Sequence, residues 1–460
     1  MTNLPQRALI ALAAAAALGA SSGALANPAL VDADLQRGEL RYVASEVLVH
    51  FRAGHAAAAR DAALGAIGAR SIQRLRRDAA AGELHLVRLP QGLAVPDAIR
   101  QLRTHAAVRF VEPNWVYTKQ AAPNDTYYQN GSLWGVYGDT SPGKQNAFGG
   151  QAAEAWNVGK DCSSSVVVGI IDEGVMTNHP DTEANIWHSP FEIPGNGIDD
   201  DGNGFVDDVT GWDFENNDNS TFDGVGDDHG THVSGTIGAT RNNGIGVAGI
   251  CGHVSMVNAK FLGANGGTTA NAIKAIDYIT DLKTRHGLNL VATNNSWGGG
   301  GFSQALKDAI DRSGAANILF IAAAGNGNLF GIGQNTDKKP NYPSAYTSEN
   351  IIAVAAINKK GAKAGFSNYG LVSVDLGAPG VGIWSTVPKL VNGVITPSYA
   401  AYDGTSMATP HVTGAVALYA SLHPGSTAAQ IKAAILAAAV PTTSMAGKTV
   451  TGGRLDVSGF

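Results

Sequence analysis

Residues 166–175 read VVVGIIDEGV, an apolar run from Val166 to Ile171 closed by Asp172 and followed by Gly174. A run that is apolar at consecutive rather than alternate positions describes a strand covered on both faces, as in a parallel sheet. Runs of the same kind recur at Val254–Leu262, Leu290–Asn294, Ile318–Ala323, Ile351–Ala355 and Val372–Leu376. Between them Ile273, Ile276, Ile279 and Leu282 repeat at helical spacing, as do Leu306 and Ile310. This alternation predicts an α/β fold, a doubly wound and mostly parallel sheet flanked by helices. Reactive groups in such sheets collect at the carboxyl ends of strands, which makes Asp172 the first candidate. A carboxylate there serves equally well as a helix cap.

The chain has 460 residues, 44% of them hydrophobic and 15% charged, enough for two or three domains with large cores. That balance excludes disorder, and 58 glycines without a three-residue period exclude collagen. Two cysteines build neither a disulfide scaffold nor a four-cysteine zinc site. The net charge of −6 argues against a nucleic-acid binder. It is unevenly spread. Residues 27–123 hold 13 Lys and Arg against 9 Asp and Glu, whereas 124–460 hold 18 against 29. A basic front piece and an acidic body attract each other.

Residues 1–26 read as a secretory signal: Arg7 in front, apolar Ala8 to Ala20, and the small-x-small site Ala24-Leu25-Ala26 before Asn27. No segment reaches the roughly 18 apolar residues of a membrane span, so a soluble protein without an anchor is expected, outside the cell or in a periplasm. Residues about 40–118 read as a small α+β unit, with strands Val47–Phe51, His85–Leu89 and Val108–Trp115 and helices Ala56–Arg70 and Val95–Thr104. Thr118–Asp125 reads as a linker, and there are no internal repeats.

Three further segments carry chemistry. His229 and His232 lie in DDHGTHVSG before a small-residue helix; two histidines three apart suit a shared metal, but no third ligand follows on that element. Ser406 follows Gly404 at the start of a helix running to about Ala420, where a hydroxyl is either a cap or sits among outward-pointing N–H groups. Pro410, in the second turn, lacks a donor that is partly free there. Asn326, between Gly325 and Gly327 at the end of an apolar run, is a turn residue or a donor aimed at a reacting oxygen.

The segments VVVGIIDEGV, DDHGTHVSGTIGA, NNSWGGG, AAAGNGN and GTSMATPHVTGA resemble, in order, the signatures of the subtilisin-like serine peptidases, the subtilases. They cover essentially all of residues 124–460, and residues about 45–118 resemble the inhibitor-type propeptide of that family. The resemblance implies a subtilisin-like catalytic domain at 124–460, behind a propeptide at 27–123 that contains a ferredoxin-like α+β domain. It implies Ser406 as nucleophile, His229 as general base and acid, Asp172 as the residue that orients His229, and Asn326 with the Ser406 N–H as oxyanion hole; His232 is then structural. Ser296, Trp297, Gly298 and Gly299 match the segment that pairs with an extended substrate, and Asn341-Tyr342-Pro343 falls at the floor of the first specificity pocket, with no charge evident. The family usually has Thr or Ser after the aspartate. Here that residue is Glu173.

Residues 199–208, DDDGNGFVDD, place Asp199, Asp201 and Asn203 at positions 1, 3 and 5 of a calcium loop with Gly204 at 6. Position 12 is Thr210, so Asp207 or Asp208 is expected to substitute for the usual glutamate. The resemblance implies a second calcium site, from Asp181 and Asn243 with loop carbonyls and Asp125. In the family the strands after Cys162 and Cys251 are parallel neighbours, so the resemblance and an exported chain favour a disulfide over two free thiols.

The expectation is a secreted, self-processing serine endopeptidase, monomeric, with structural calcium. Protein or peptide substrates and its own propeptide are its partners; nucleic acid is not. Cleavage between about Lys119 and Asn124 releases the propeptide, and the chain stops shortly after Gly453–Val457 without a further binding domain. A catalytically silent binding protein and a zinc hydrolase on His229 and His232 are the alternatives.

Overall fold

The computed structural model describes residues 42–115 apart from 79 and 81, residues 122–460, and Pro28, Val31, Asp32 and Leu35. The signal reading at 1–26 and residues 119–121 of the expected processing stretch lie outside these. The chain divides into two compact units, 1–118 and 119–460.

In the first unit the order is β1 (Tyr42–Phe51), α1 (Ala57–Gly65), β2 (Arg70–Asp78), β3 (Gly82–Arg88), α2 (Val95–Leu102) and β4 (Val108–Trp115). The sheet runs β2-β3-β1-β4, every pair antiparallel, which is the expected ferredoxin-like βαββαβ arrangement. Val47, Val49 and Phe51 alternate along β1, so one face meets Leu64 of α1 and Ile99 and Leu102 of α2. The helix expected to reach Arg70 stops at Gly65, and Arg70 instead opens β2. This edge strand is exposed from Arg70 to Arg77. With no buried face it carries no alternation to read, and its arginines suit an edge that must resist pairing.

The second unit contains β5 (Val167–Asp172), β6 (Gly211–Asp213), α3 (Asp228–Gly238), β7 (Ser255–Lys260), α4 (Thr269–His286), β8 (Leu290–Asn295), α5 (Gln304–Ala315), β9 (Leu319–Ala323), β10 (Ile351–Ile357) and β11 (Leu376–Pro379). A hairpin of β12 (Ile383–Val391) and β13 (Val394–Tyr402) follows, then α6 (Thr405–Leu422), α7 (Ala428–Ala437), β14 (Val440–Pro441) and β15 (Gly453–Arg454). The nine-stranded sheet has the order β14-β15-β11-β10-β9-β8-β5-β7-β6, parallel except at β14–β15.

Successive residues of β5 face opposite layers. Val168 and Ile170 join Ile237 of α3 and Val412 and Val416 of α6, while Val167 and Ile171 join Ile276 and Ile279 of α4 and Ile310 of α5. Each such buried side chain contributes about 1.5–3 kcal/mol, which is why the run is apolar at every position. Gly169 interrupts it because a Cβ there would stand 3.1 Å from Ile279 Cδ1; α4 occupies that space. β5 lies between β7 and β8, so the chain leaves it in one direction and later returns on the other side, a topological switch point.

One expected strand is corrected. Val372–Leu376 is not strand before Leu376: Val372 is 83% exposed, and the Asp337 carboxylate accepts the N–H groups of Leu371, Val372 and Ser373. This capture of backbone donors by a side chain distant in sequence delays the strand until Leu376. The β12–β13 hairpin was not anticipated, although Asn392-Gly393, with φ of 52° and 81°, is a strong hairpin signal. Cys162 and Cys251, ahead of β5 and β7, form a disulfide with Cα atoms 5.2 Å apart.

Candidate active site

Asp172 ends β5 opposite Lys260 of β7. It is buried, and its Oδ1 accepts the Glu173 N–H at 2.9 Å and His229 Nδ1 at 2.8 Å. His229 is the second residue of α3, and Gly230 lets the first turn approach: a Cβ there would lie 2.0 Å from the Gly174 carbonyl oxygen. Glu173 Oε1 accepts the His229 backbone N–H at 2.5 Å, satisfying one of the donors left free at a helix start. Lys260 is buried behind them. Its ammonium donates to Asp227 Oδ1 at 2.8 Å, to the Leu262 carbonyl at 3.2 Å and to the Glu173 carbonyl. It thereby ties the end of β5, the residue preceding α3 and the chain after β7 together. Its signal in the sequence is a lysine inside an otherwise apolar run.

An imidazole that donates Nδ1–H to Asp172 keeps Nε2 as its acceptor. Burial opposes the charged form of His229, but the Asp172 charge and hydrogen bond, with Glu173 and Asp228 beyond, outweigh it and raise the pKa to about 9. Burial, followed by repulsion from Asp172, pushes the Glu173 carboxyl up to about 7. His232 differs. It is fully buried, holds the Ile383 carbonyl through Nε2 at 2.8 Å and stacks on Tyr402, and burial drives its pKa down to about 3. A neutral, packed ring is a structural one.

Ser406 is the second residue of α6, so its N–H has no intrahelical partner. Pro410 lacks the donor that would reach the Ser406 carbonyl four residues back. That donor is not free in an ordinary second turn, contrary to the sequence reading; Ser296 Oγ replaces it, at 2.8 Å. Ser406 Oγ in turn donates to the Ser296 carbonyl at 3.1 Å, and among the described residues it has no hydrogen bond to His229. Asn326 Oδ1 accepts both the Thr405 N–H and Thr405 Oγ1 at 2.9 Å, which leaves its Nδ2 free. A Cβ on Gly404 would lie 3.5 Å from both Asn326 Nδ2 and the Ser406 nitrogen, so the two donors converge on one small volume. Thr405, which sets the orientation of Asn326, was missed because a buried threonine at a helix start reads only as a cap.

His229, Ser406, Asn326 and Glu173 line one cleft of about 550 Å³ with Ser296, Trp297, Gly298, Gly299 and Asn341. The glycines are required sterically: a Cβ on Gly298 would be 2.9 Å from the Tyr342 carbonyl, and Gly299, with φ of 100°, donates its N–H to that oxygen at 3.0 Å. Beside them a cavity of about 260 Å³ is walled by Phe261, Leu262, Trp297, Leu306 and Tyr342.

In the acidic loop, Glu192, Asp199 and Asp201 bring one oxygen each within 4.8 Å of one another, the convergence a hard cation needs. Glu192 was not anticipated. Asp207 spends its oxygens on the N–H groups of Gly195, Asn196 and Gly197, and Asn203 gives its Oδ1 to the Phe205 N–H. Asp208 is buried, bonded to Tyr278 and Asn203, with Oδ1 unpartnered. Elsewhere Asp181 and Asp125 are both fully buried, and Asp125 Oδ1 has no partner. Burial, with repulsion from Asp125, lifts Asp181 to about 6. Asn243 presents Nδ2 to Asp181 at 2.7 Å and its oxygen to the Ile245 N–H.

Residues 163–456 match the subtilase family, described as peptidase family S8, and residues 28–114 match the fervidolysin N-terminal prodomain. The chain is 32% identical over 381 residues to a thermophilic serine proteinase of Bacillus sp. (strain AK1), covering 83% of this chain and 79% of that protein. It is 34% identical over 374 residues to an extracellular protease of Xanthomonas campestris, covering 78% of this chain and 59% of the relative. Among solved structures, one of proteases from Pseudoalteromonas arctica aligns at a TM-score of 0.57 and 26% identity, over 74% of this chain and 98% of that one. The chain therefore belongs to the subtilase family of serine proteases and carries an N-terminal prodomain.

Proposed function

We propose that this protease cleaves peptide bonds through an acyl-enzyme on Ser406. Rotation about χ1 carries Ser406 Oγ from the Ser296 carbonyl toward His229 Nε2, a change between staggered wells. Hydrogen bonds of this kind are often unmade without substrate. Oγ then attacks the scissile carbonyl carbon while its proton passes to Nε2. Asp172 holds the tautomer and stabilises the imidazolium. The carbonyl oxygen, now negative, takes hydrogen bonds from Asn326 Nδ2 and the Ser406 N–H, worth about 2.7–4 kcal/mol for one such donor in subtilisin, a member of this family. His229 gives its proton to the leaving amine, and the bond breaks to an ester. Water, deprotonated by His229, attacks that ester and restores Ser406. The apolar cavity beside the cleft favours broad specificity that admits apolar side chains at the position reaching it.

The observation that carries this reading is the Asp172–His229 hydrogen bond at the mouth of a cleft shared with Ser406 and Asn326. An organophosphonate serine probe should label the active enzyme at one residue, Ser406, while a protein substrate is cut at internal bonds. No labelling, or labelling elsewhere, overturns it.

The raised pKa of His229 sets the pH dependence. The protonated ring cannot accept from Ser406, so kcat/KM rises with pH as His229 deprotonates, and an alkaline optimum is expected. Glu173→Gln keeps an acceptor for the His229 N–H but removes one negative charge that favours the imidazolium. The acid limb then moves down, by about one pH unit. An unchanged pH–rate profile would remove Glu173 from this role.

Export under the 1–26 signal, release of 27–123 by cleavage between about Lys119 and Asn124, and a monomeric catalytic domain at 124–460 belong to the same proposal. The relative described as an extracellular protease supports export, and the prodomain match supports a propeptide that folds and inhibits. Calcium is proposed at two places. Asp199 and Asp201, with Glu192, would hold one ion. Asp181 and Asp125 would hold the other, with Asn243 contributing after its amide turns. At the second place the ion would supply positive charge to the fully buried Asp181 and Asp125. A hundredfold excess of calcium over its Kd stabilises by about 2.7 kcal/mol per site. Chelation should therefore lower Tm by about 5 °C or more. Superimposable melts with and without chelator would refute both sites.

A further inference from the structure

We infer that Glu173 selects a cationic side chain, lysine or arginine, on a substrate residue within two positions of the scissile bond. The inference rests on the peptidase reading above. Glu173 is the one carboxylate among the described residues that line the 550 Å³ cleft. Its Oε1 is occupied by the His229 N–H, but its Oε2 has no hydrogen bond or ion pair among the described residues and is open to solvent. Helix capping accounts for the first oxygen and leaves the second unused.

The charges around it are lopsided. Asp172 stands beside it on β5 and Asp228 on α3, where Tyr402 from β13 donates to the Asp228 carboxylate. Lys260 of β7 gives its ammonium to Asp227 and to the Glu173 and Leu262 carbonyls, not to the Glu173 carboxylate. Among the described residues the His229 imidazole, when protonated, is thus the one cation shared among these three carboxylates. Burial and this repulsion hold the Glu173 carboxyl near 7, as expected for an acid short of a counter-charge. A substrate ammonium or guanidinium supplies that charge through a partly desolvated, charge-assisted hydrogen bond. Leu262, on the same cleft wall, offers apolar surface for its stem. Glu173 is hydrogen-bonded to His229 itself, and an extended substrate advances about 3.3 Å per residue, so the contact falls within two residues of the bond being cut.

The test uses the active enzyme obtained from the full chain and peptide pairs that differ only in lysine against norleucine, placed in turn at each position flanking the cleaved bond. In the wild type, kcat/KM should favour lysine about tenfold at one position, and Glu173→Gln should bring that ratio close to one. Glu173→Asp should retain part of it. Because the readout is a ratio between substrates, a general disturbance of His229 cancels. A wild type with no lysine preference, or a preference that survives Glu173→Gln, overturns the inference. Should Glu173→Gln be inactive, the wild-type ratio must still fall with added salt, and a salt-independent ratio overturns it as well. A wild type that cleaves none of the peptides refutes the peptidase reading instead, which is a distinguishable result.

Discussion

Ser406→Ala is expected to lower kcat about 10⁶-fold, the scale observed in subtilisin, itself a subtilase, when its catalytic serine is removed. The hydroxyl oxygen is the atom that becomes covalently joined to the acyl group, and among the described residues no other alcohol is placed beside both His229 and the two oxyanion donors. Of the other alcohols on the cleft wall, Ser296 Oγ is committed to the Ser406 carbonyl left open by Pro410, and Thr405 Oγ1 to Asn326 Oδ1. Folding should survive, because the alcohol donates one hydrogen bond, to the Ser296 carbonyl, and fills little space. The variant should also resist the phosphonate probe. If it were expressed as the full chain, the prodomain should stay attached, since self-cleavage uses the same nucleophile. Normal turnover in a folded Ser406→Ala protein would end the proposal outright.

Asp172→Ala should lower kcat about 10⁴-fold, less than loss of the serine. Two things disappear together: the acceptor that fixes His229 with Nδ1–H toward β5, and the charge that favours the imidazolium formed as Ser406 loses its proton. What remains is Ser406, a wandering imidazole and the donors of Asn326 and Ser406. The His229 pKa should fall at the same time, because the Asp172 charge and hydrogen bond are the leading causes that raise it. The residual activity should therefore extend to lower pH than in the wild type. The double variant Ser406→Ala, Asp172→Ala should lose no more than Ser406→Ala alone, since Asp172 acts only through that reaction path. Additive losses would show that Asp172 has a separate role. Circular dichroism and melting would check that removing a buried carboxylate does not unfold β5.

Much of this architecture can be read along the chain. Continuous apolar runs such as Val166–Ile171 announce a two-sided sheet, because a strand buried on both faces leaves no position for a polar side chain. Asp172, His229, Asn326 and Ser406 stand where strand ends and helix starts are marked by Gly174, Gly230, Gly325 and Gly404. Other features carried a signal that was passed over, such as Asn392-Gly393 for the β12–β13 hairpin and the lysine in Ser255–Lys260. Edge strand β2 had none, since exposure removes the alternation. The false strand at Val372 failed for a different reason: its backbone donors are captured by Asp337, which lies far away in sequence.

Element type and the choice of reactive residues are therefore local properties, encoded in periodicity, turn chemistry and the short segments around each group. Partnership is not local. That Ser296 takes over a carbonyl orphaned by Pro410, that Thr405 turns the Asn326 amide, and that Lys260 binds three chain segments behind Asp172 all depend on β5, β7, β8 and α6 meeting in space. The same holds for Glu192 joining Asp199 and Asp201 and for the unclaimed oxygen of Glu173. Hydrogen bonds and charge act over a few ångströms of space, whatever the distance along the chain, so only the folded arrangement settles which groups satisfy one another and which are left open.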